Sequence, residues 1–327
     1  IGRTLRVDVG RVAAQANGAV LIHYGDTVIL STATASSKPR EGIDFFPLSV
    51  EYEEKLYAVG KIPGGFIKRE GKPSENAILA SRCIDRPMRP LFPKDYRNDV
   101  TINNLVLCVD QDCSPELTAM LGSSIATCIS DIPFNGPVAA TMVGLVDGQF
   151  VFNPTSAQRE KSDLALTVAS TREKVIMIEA GANEVPEDVM IEAIYAAHDI
   201  NKKIIEFIDT IVAECGKPKH DYVHWVVPDE MYEDMVNFIT PEGMEAAVFT
   251  DDKKVREANI NEIAEKLTAR YEVDQPDWLP WLPDAIAKFE KATVRKMILK
   301  DHKRPDGRKM DEIRKLAAEI DILPRTH

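Results

Sequence analysis

Lys61-Ile-Pro-Gly-Gly-Phe-Ile-Lys-Arg-Glu-Gly-Lys-Pro-Ser-Glu75, followed by Ile84-Asp-Arg-Pro-Met-Arg-Pro-Leu-Phe-Pro93, is the stretch from which the chain is best read. Lys61 to Arg97 carries nine basic residues against four acids, a net of +5. The whole chain has 40 Lys and Arg against 52 Asp and Glu, a net of −12. Such a local reversal is what a polyanion site needs, on a body that repels polyanions elsewhere. Pro63-Gly64-Gly65 makes a flexible loop that presents Phe66 beside Lys68 and Arg69. An aromatic ring among cations suits single-stranded RNA, held by base stacking and phosphate contacts. Arg82, Arg86 and Arg89 stand at i, i+4 and i+7, so they begin on one helix face, and Pro87 is expected to break the helix before the third. The charge count alone also fits a solvated loop over an ordinary helix. A phosphate-binding P-loop is excluded. Gly65 to Gly71-Lys72 is one residue too long, and Pro73 stands where Ser or Thr would bind magnesium.

Outward from this segment the pattern is mixed α and β. Ala19–Tyr24 and Thr27–Thr32 are β-rich runs around Gly25-Asp26, a hairpin signal. Phe45–Tyr52 and Ile102–Val109 read as further strands, and a helix runs from its cap at Ser74 to the residue before Pro87. Ser114-Pro115-Glu116 opens a second helix, to about Ile129. Val138–Val146 and Gln149–Phe152 flank Asp147-Gly148, Leu164–Ala169 pairs with Val175–Glu179, and a long amphipathic helix from near Pro186 ends at Gly216 and Pro218. From about Asp229 helices dominate: Met231–Phe238, Pro241–Val248, Lys253–Arg270 and Asp284–Lys300, interrupted by Pro276, Pro280 and Pro283. Lys303 to His327 carries a basic turn and one short helix, and stops where a strand should begin.

The length of 327 residues suits about two domains of roughly 150 residues. No apolar run reaches the roughly 18 residues of a membrane span, and no signal-peptide pattern opens the chain. Five widely spread cysteines without Cys-x-x-Cys predict a reduced, cytosolic protein. Ile1 in place of an initiator Met, and the stop at Thr326-His327 just after a promising motif, give both ends a clipped look.

The two quoted stretches closely resemble the bacterial polynucleotide phosphorylase family. Gly18-Ala-Val-Leu-Ile-His-Tyr-Gly-Asp-Thr27, Asp44-Phe-Phe-Pro-Leu48 and Asn135-Gly-Pro137 resemble its first RNase PH-like core, and Arg304-Pro-Asp-Gly-Arg308 and Leu323-Pro-Arg-Thr-His327 the opening of its second. The resemblance implies an α+β fold, an RNase PH-like (ribosomal protein S5 domain 2-like) core followed by a small all-α domain. The implied boundaries are 1–134 and 135–228 for the two halves of the first core, 229–300 for the helical linker domain and 301–327 for the truncated second core. It implies phosphorolysis of RNA from the 3′ end to nucleoside diphosphates, with inorganic phosphate as co-substrate, in mRNA degradation in the cytoplasm. It further implies a homotrimeric ring, degradosome partners (an endoribonuclease and a helicase), no membrane association, and Mg2+ held by the second core beyond this chain. On this resemblance no catalytic or metal-binding residue is expected here. RNA-binding roles fall on Phe66, Lys68, Arg69, Lys72, Arg82, Arg86 and Arg89, and Arg325 and His327 fall near the second-core active site. Where the family commonly has two aromatics and two arginines in the pore loop, Ile67 and Lys68 stand here, which weakens stacking and replaces a flat fork with a point charge. A reading from another class makes the chain a non-catalytic RNA-binding platform of an exosome-like ring, and a weaker third gives the first core its own nucleotide transfer.

Other constellations have plainer readings. Cys215, His220 and His224 lack a fourth zinc ligand. Glu51 and Glu53, on one strand face, fit a solvated strand edge better than a metal site. No Gly-x-Ser-x-Gly elbow supports a Ser/His/Asp triad. Trp278 and Trp281 are expected to pack the helical unit.

Overall fold

The computed structural model describes residues 2–325. The chain forms two compact units, one reaching to His224 and the other beginning at Trp225.

The first unit contains two sheets. β1 (Leu5–Val9), β2 (Gly18–Tyr24), β3 (Thr27–Ala35), β4 (Leu48–Glu54) and β5 (Val100–Cys108) form one, in the order β1-β2-β3-β5-β4. All pairs are antiparallel except β4 with β5, which run parallel from Leu48 opposite Val100. β1 is absent from the sequence expectations, because LRVDV is a short edge strand with charged residues at alternate positions. β4 starts at Leu48 rather than Phe45, since Pro47 has no N–H to give to a ladder. β6 (Ala139–Val146), β7 (Gln149–Phe152), β8 (Leu164–Ser170) and β9 (Val175–Ala182) make the second sheet, ordered β7-β6-β8-β9 and antiparallel throughout. Asp147 and Gly148 at its hairpin tip both take positive φ, 51° and 74°, as the two central residues of a type I′ turn require.

Four helices complete the unit: α1 (Glu75–Met88), α2 (Pro115–Ile129), the single turn α3 (Ser156–Arg159) and α4 (Glu187–Cys215). α2 is buried on every side from Leu117 to Ile129 and packs on β2, β3 and β6. Its backbone lies directly on the first sheet: a Cβ added to Gly18 of β2 would stand 2.0 Å from the Ala126 carbonyl oxygen. α4 is fastened to the second sheet by buried Asn201, whose Oδ1 accepts from Thr141 (2.8 Å) while Nδ2 donates to the Val168 carbonyl and the Ser170 hydroxyl (3.0 Å each). These bonds satisfy an amide that would otherwise be costly to bury.

α1 does not stop before Pro87 but runs through it to Met88 and passes into a 3-10 turn, Arg89–Leu91. Pro87 lies in the last turn, where only one backbone bond is lost, and both Pro87 and Met88 are buried.

The second unit is helical: α5 (Asp229–Ile239), α6 (Pro241–Val248), α7 (Lys253–Asp274) and α8 (Leu282–Leu299), with a 3-10 turn over Pro276–Trp281. Met231, Met235, Met244, Leu267, Tyr271, Phe289 and Met297 form its core. Trp278 meets Tyr271 edge-on, and Trp281 lies against Trp225 with ring centroids 3.9 Å apart. From Lys303 to Arg325 there is neither helix nor strand, so the short helix expected there is not formed. Ile313, Leu316 and Ile320 are 81%, 87% and 89% exposed. An isolated short helix with no surface to bury against is marginal in water. The basic turn does form, closed by Gly307 N–H on the Arg304 carbonyl (3.0 Å).

Candidate nucleic-acid interface

The loop between β4 and α1 is anchored at its ends and open in its middle. A 3-10 turn, Leu56–Val59, is ended by Gly60 at φ 68°, and the Glu70 carboxylate accepts from Leu56 N–H at 3.0 Å. Ser74 then caps α1, its hydroxyl accepting from Ala77 N–H at 3.1 Å. Between these fixed points Gly64 and Gly65 have open space on their Cβ side, and Phe66 is fully exposed at 102%. Ile67 is 73% exposed. Lys68, Arg69 and Lys72 are exposed and make no ion pair among the described residues. A bare ring with three unpaired cations within six residues of it in the chain can stack a base and meet phosphates, and has no packing role in this fold.

The three arginines of the α1 segment part company. Ala77, Ala80, Ile84 and Met88 turn one face of α1 to the core, leaving Arg82 and Arg86 on the other. Both line a cavity of about 900 Å³ bounded by α1, the start of α2, α3 and the second sheet. Arg86 is paired with Glu179 of β9, whereas Arg82 has no ion pair among the described residues. Arg89 does not join them. Its guanidinium grips Asp85 with two bonds (3.1 and 2.7 Å) and donates to the carbonyls of Phe46 and Leu48 (3.3 and 3.1 Å), tying α1 to the start of β4.

The cavity's other polar groups come from segments remote in sequence. Ser114 caps α2 by accepting from Leu117 N–H (3.1 Å), so the positive end of that helix dipole faces the cavity. Arg159 of α3 holds the preceding loop, donating to the carbonyls of Gln111 (2.6 Å) and Pro154 (2.9 Å). Burial raises the Cys83 thiol, so it lines the cavity as a neutral group, beside Met120 and Met142. The cavity thus combines an apolar floor, the unpaired Arg82, a helix N-terminus and the carboxylates of Glu116 and Glu179. Nothing local in the sequence marks Arg159 or Gln111; the turn of α3 brings the first to the cavity beside α1, and the loop from β5 to α2 the second.

Arg325 is exposed in the terminal segment, which has neither helix nor strand, and His327 lies outside the described residues. Cys215, His220 and His224 do not converge. The Cys215 thiol donates to the Ile211 carbonyl, His220 meets the Tyr96 hydroxyl at 3.0 Å, and His224 meets Asp95 at 2.7 Å. Among the described residues no three His, Cys, Asp or Glu side chains gather as a metal-holding group. Glu51 and Glu53 lie on the edge strand β4, opposite the core-facing Tyr52, and Glu53 is paired with Lys55.

Comparison with known proteins matches residues 2–133 to the 3′ exoribonuclease family, domain 1, and 136–200 to domain 2 of that family. Residues 231–309 match the polyribonucleotide nucleotidyltransferase RNA binding domain. The chain is 72% identical over 326 residues to the polyribonucleotide nucleotidyltransferase of Lachnoclostridium phytofermentans, covering all of this chain and 47% of that protein. It is 56% identical to that of Ruminiclostridium cellulolyticum, covering 46% of it. The chain therefore spans about half the length of the curated relatives it matches. The crystal structure of rice (Oryza sativa) Rrp46 superposes with a TM-score of 0.54 over 64% of this chain and 95% of that one. At 14% identity this is a likeness of fold, and it places the first unit among RNase PH-like α+β cores.

Proposed function

We propose, from the premise that this chain belongs to the polyribonucleotide nucleotidyltransferases of the 3′ exoribonuclease family, that it is the RNA-gripping part of a phosphorolytic 3′-to-5′ exoribonuclease. In that reaction an oxygen of inorganic phosphate forms a bond to the phosphorus of the terminal phosphodiester, and the bond from that phosphorus to the 3′ oxygen of the preceding nucleotide breaks. A nucleoside diphosphate leaves, and the shortened RNA keeps its 3′ hydroxyl. The observation that carries the reading is the fully exposed Phe66 ring among Lys68, Arg69 and Lys72, none of them ion-paired among the described residues. Phe66 stacks a base, the three cations hold the flanking phosphates, and Arg82 continues the contact along the outer face of α1. Arg86 contributes once a phosphate competes with Glu179 for it. Arg89 acts as a fastening of α1 rather than as a phosphate ligand.

The divalent cation that such chemistry implies finds no fitting set of donors among the described residues. We assign metal binding and the bond-breaking step to a second RNase PH-like core of which Arg304-Pro-Asp-Gly-Arg308 is the opening. The exposed Ile313, Leu316 and Ile320 support this assignment, since side chains of this size at 81–89% exposure call for a partner surface. Assembly as a homotrimer in the cytoplasm, Mg2+ as the metal, and joint action with an endoribonuclease and a helicase in mRNA degradation belong to the same proposal.

The test is phosphate-dependent release of ADP from polyadenylate by this 327-residue chain, alongside RNA binding by the same preparation. Binding without release is expected. Release that vanishes without phosphate would place catalysis in the first core and overturn the division of labour.

A further inference from the structure

The helical unit holds a charge asymmetry that the overall composition hides. Residues 231–280 carry five cations against twelve acids, a net of −7, whereas residues 288–309 carry nine cations against three acids, a net of +6. A domain matched as RNA-binding is thus repulsive to a polyanion over most of its length. Three of the five cations of α7 are engaged, Lys253 with Glu257, Lys266 with Glu262, and Arg270 with Asp234 and Asp274, while Lys254 and Arg256 stand near its start among Asp251, Asp252 and Glu257 in the sequence. On α8, Lys296 pairs with Asp301, and the other cations form no ion pair among the described residues. Lys288, Lys291, Arg295 and Lys300 are exposed and make no ion pair among the described residues.

Lys288, Lys291 and Arg295 stand at i, i+3 and i+7, hence on one face of α8, opposite the buried Ala285, Ile286, Phe289, Thr293 and Met297. They form a line about 10 Å long at 1.5 Å per residue. Lys288 rests its ammonium 4.1 Å from the centre of the Tyr232 ring, which fixes one end of the line. Lys291 and Arg295 are like charges one helical turn apart, an arrangement that destabilises a helix as an opposite pair stabilises it. No ion pair among the described residues relieves that repulsion. A row of phosphates would.

We infer that the Lys288–Lys291–Arg295 face of α8 is a phosphate-backbone contact for single-stranded RNA, a second contact separate from the Phe66 loop and independent of base identity. It rests on the RNA reading above and adds where the helical unit meets the strand.

The test is anisotropy of a labelled oligoadenylate titrated with the 327-residue chain across a range of KCl, comparing wild type with Lys291→Gln/Arg295→Gln. Two lost contacts at about 0.7 each should flatten the slope of log K against log salt by about 1.4. For proteins that bind alike at 1 M salt, that is an affinity loss on the order of 25-fold at 0.1 M. Lys266→Gln, which removes a paired cation of α7, should leave the slope unchanged. Thermal unfolding of the double variant should be unchanged or shifted upward, because a repulsive pair has been removed. Wild-type binding with an unaltered slope in the double variant overturns the face assignment alone. A lowered unfolding temperature in the double variant overturns it too, making these cations structural. Polyglutamate that displaces the oligonucleotide as well as unlabelled oligoadenylate does would make the face a dock for an acidic protein instead. Failure of the wild type to bind at all overturns the inference together with the RNA reading.

Discussion

Phe66 carries its ring wholly in solvent, with Lys68 and Arg69 beside it free of ion pairs among the described residues. Single substitutions there act on binding and not on folding. Phe66→Ala should lose about 1–3 kcal/mol of single-stranded RNA affinity, the worth of one stacked base, with no change in unfolding temperature. Arg69→Ala should reduce the salt slope by about 0.7, one phosphate contact; fluorescence anisotropy at several salt concentrations reads both. Arg89 belongs to the other class. Its bonds to Asp85 and to the Phe46 and Leu48 carbonyls make Arg89→Ala a stability variant, expected to cost about 1–3 kcal/mol in urea unfolding and to leave the salt slope as it was. Three arginines at i, i+4 and i+7 thus divide by what surrounds them: open cavity for Arg82, a carboxylate across the cavity for Arg86, and carbonyls of a neighbouring segment for Arg89.

At the scale of elements, α2 decides how the first unit closes. It carries small or polar residues, Gly122, Ser123, Ser124 and Thr127, where a solvent-facing helix would carry charges, because both of its sides are covered. Ser123 donates to buried Asn104 (2.9 Å), which also accepts from Ser31 of β3 (2.6 Å), so helix and sheet share one acceptor. The close approach of Gly18 to the Ala126 carbonyl leaves no room for a methyl group. Gly18→Ala should destabilise the chain by about 1–3 kcal/mol or more, read in urea unfolding. Beyond the end of α2, Lys219 donates to the carbonyls of Thr127, Cys128 and Ser130 (3.2, 2.9 and 2.6 Å), a cation at a helix C-terminus where it is favoured. α1 shows the same dominance of packing over propensity: the buried Pro87 and Met88 hold the last turn in place past a residue that ends helices when nothing covers it.

Across the whole molecule, the segment that leaves α4 is laid back along the first unit by carboxylates. Asp95 accepts from the Tyr222 hydroxyl (2.9 Å) and meets His224 (2.7 Å), and Asp131 accepts from Asn17 (2.8 Å) with His220 at 3.6 Å. Burial pushes both carboxyls upward, but the hydrogen bonds from His224 and Tyr222 to Asp95, and from Asn17 to Asp131, outweigh it and hold both below the usual range. A folded-state pKa below the unfolded value gives stability that is present above about pH 4 and lost as pH falls through the folded-state values. Asp95→Asn should therefore cost about 1.5–3 kcal/mol at pH 7. That deficit should shrink below pH 4, as measured by urea unfolding at the two pH values.

The sequence alone carried most of the secondary structure and the family. Hairpin tips at Gly25-Asp26 and Asp147-Gly148, caps at Ser74 and Ser114, and the change to helix after Asp229 are local chemistry, and local chemistry is written in order along the chain. The exposure and charge of the Phe66 loop were legible for the same reason: both depend only on neighbours a few residues away. Tertiary structure alone decided what depends on remote partners. The parting of Arg82, Arg86 and Arg89, the cavity that joins α1 to Arg159 and the start of α2, and the survival of α1 past Pro87 all arise where distant segments meet. The failure of residues 303–325 to form a helix follows the same rule in reverse, since an apolar stripe becomes an element only when another surface buries it.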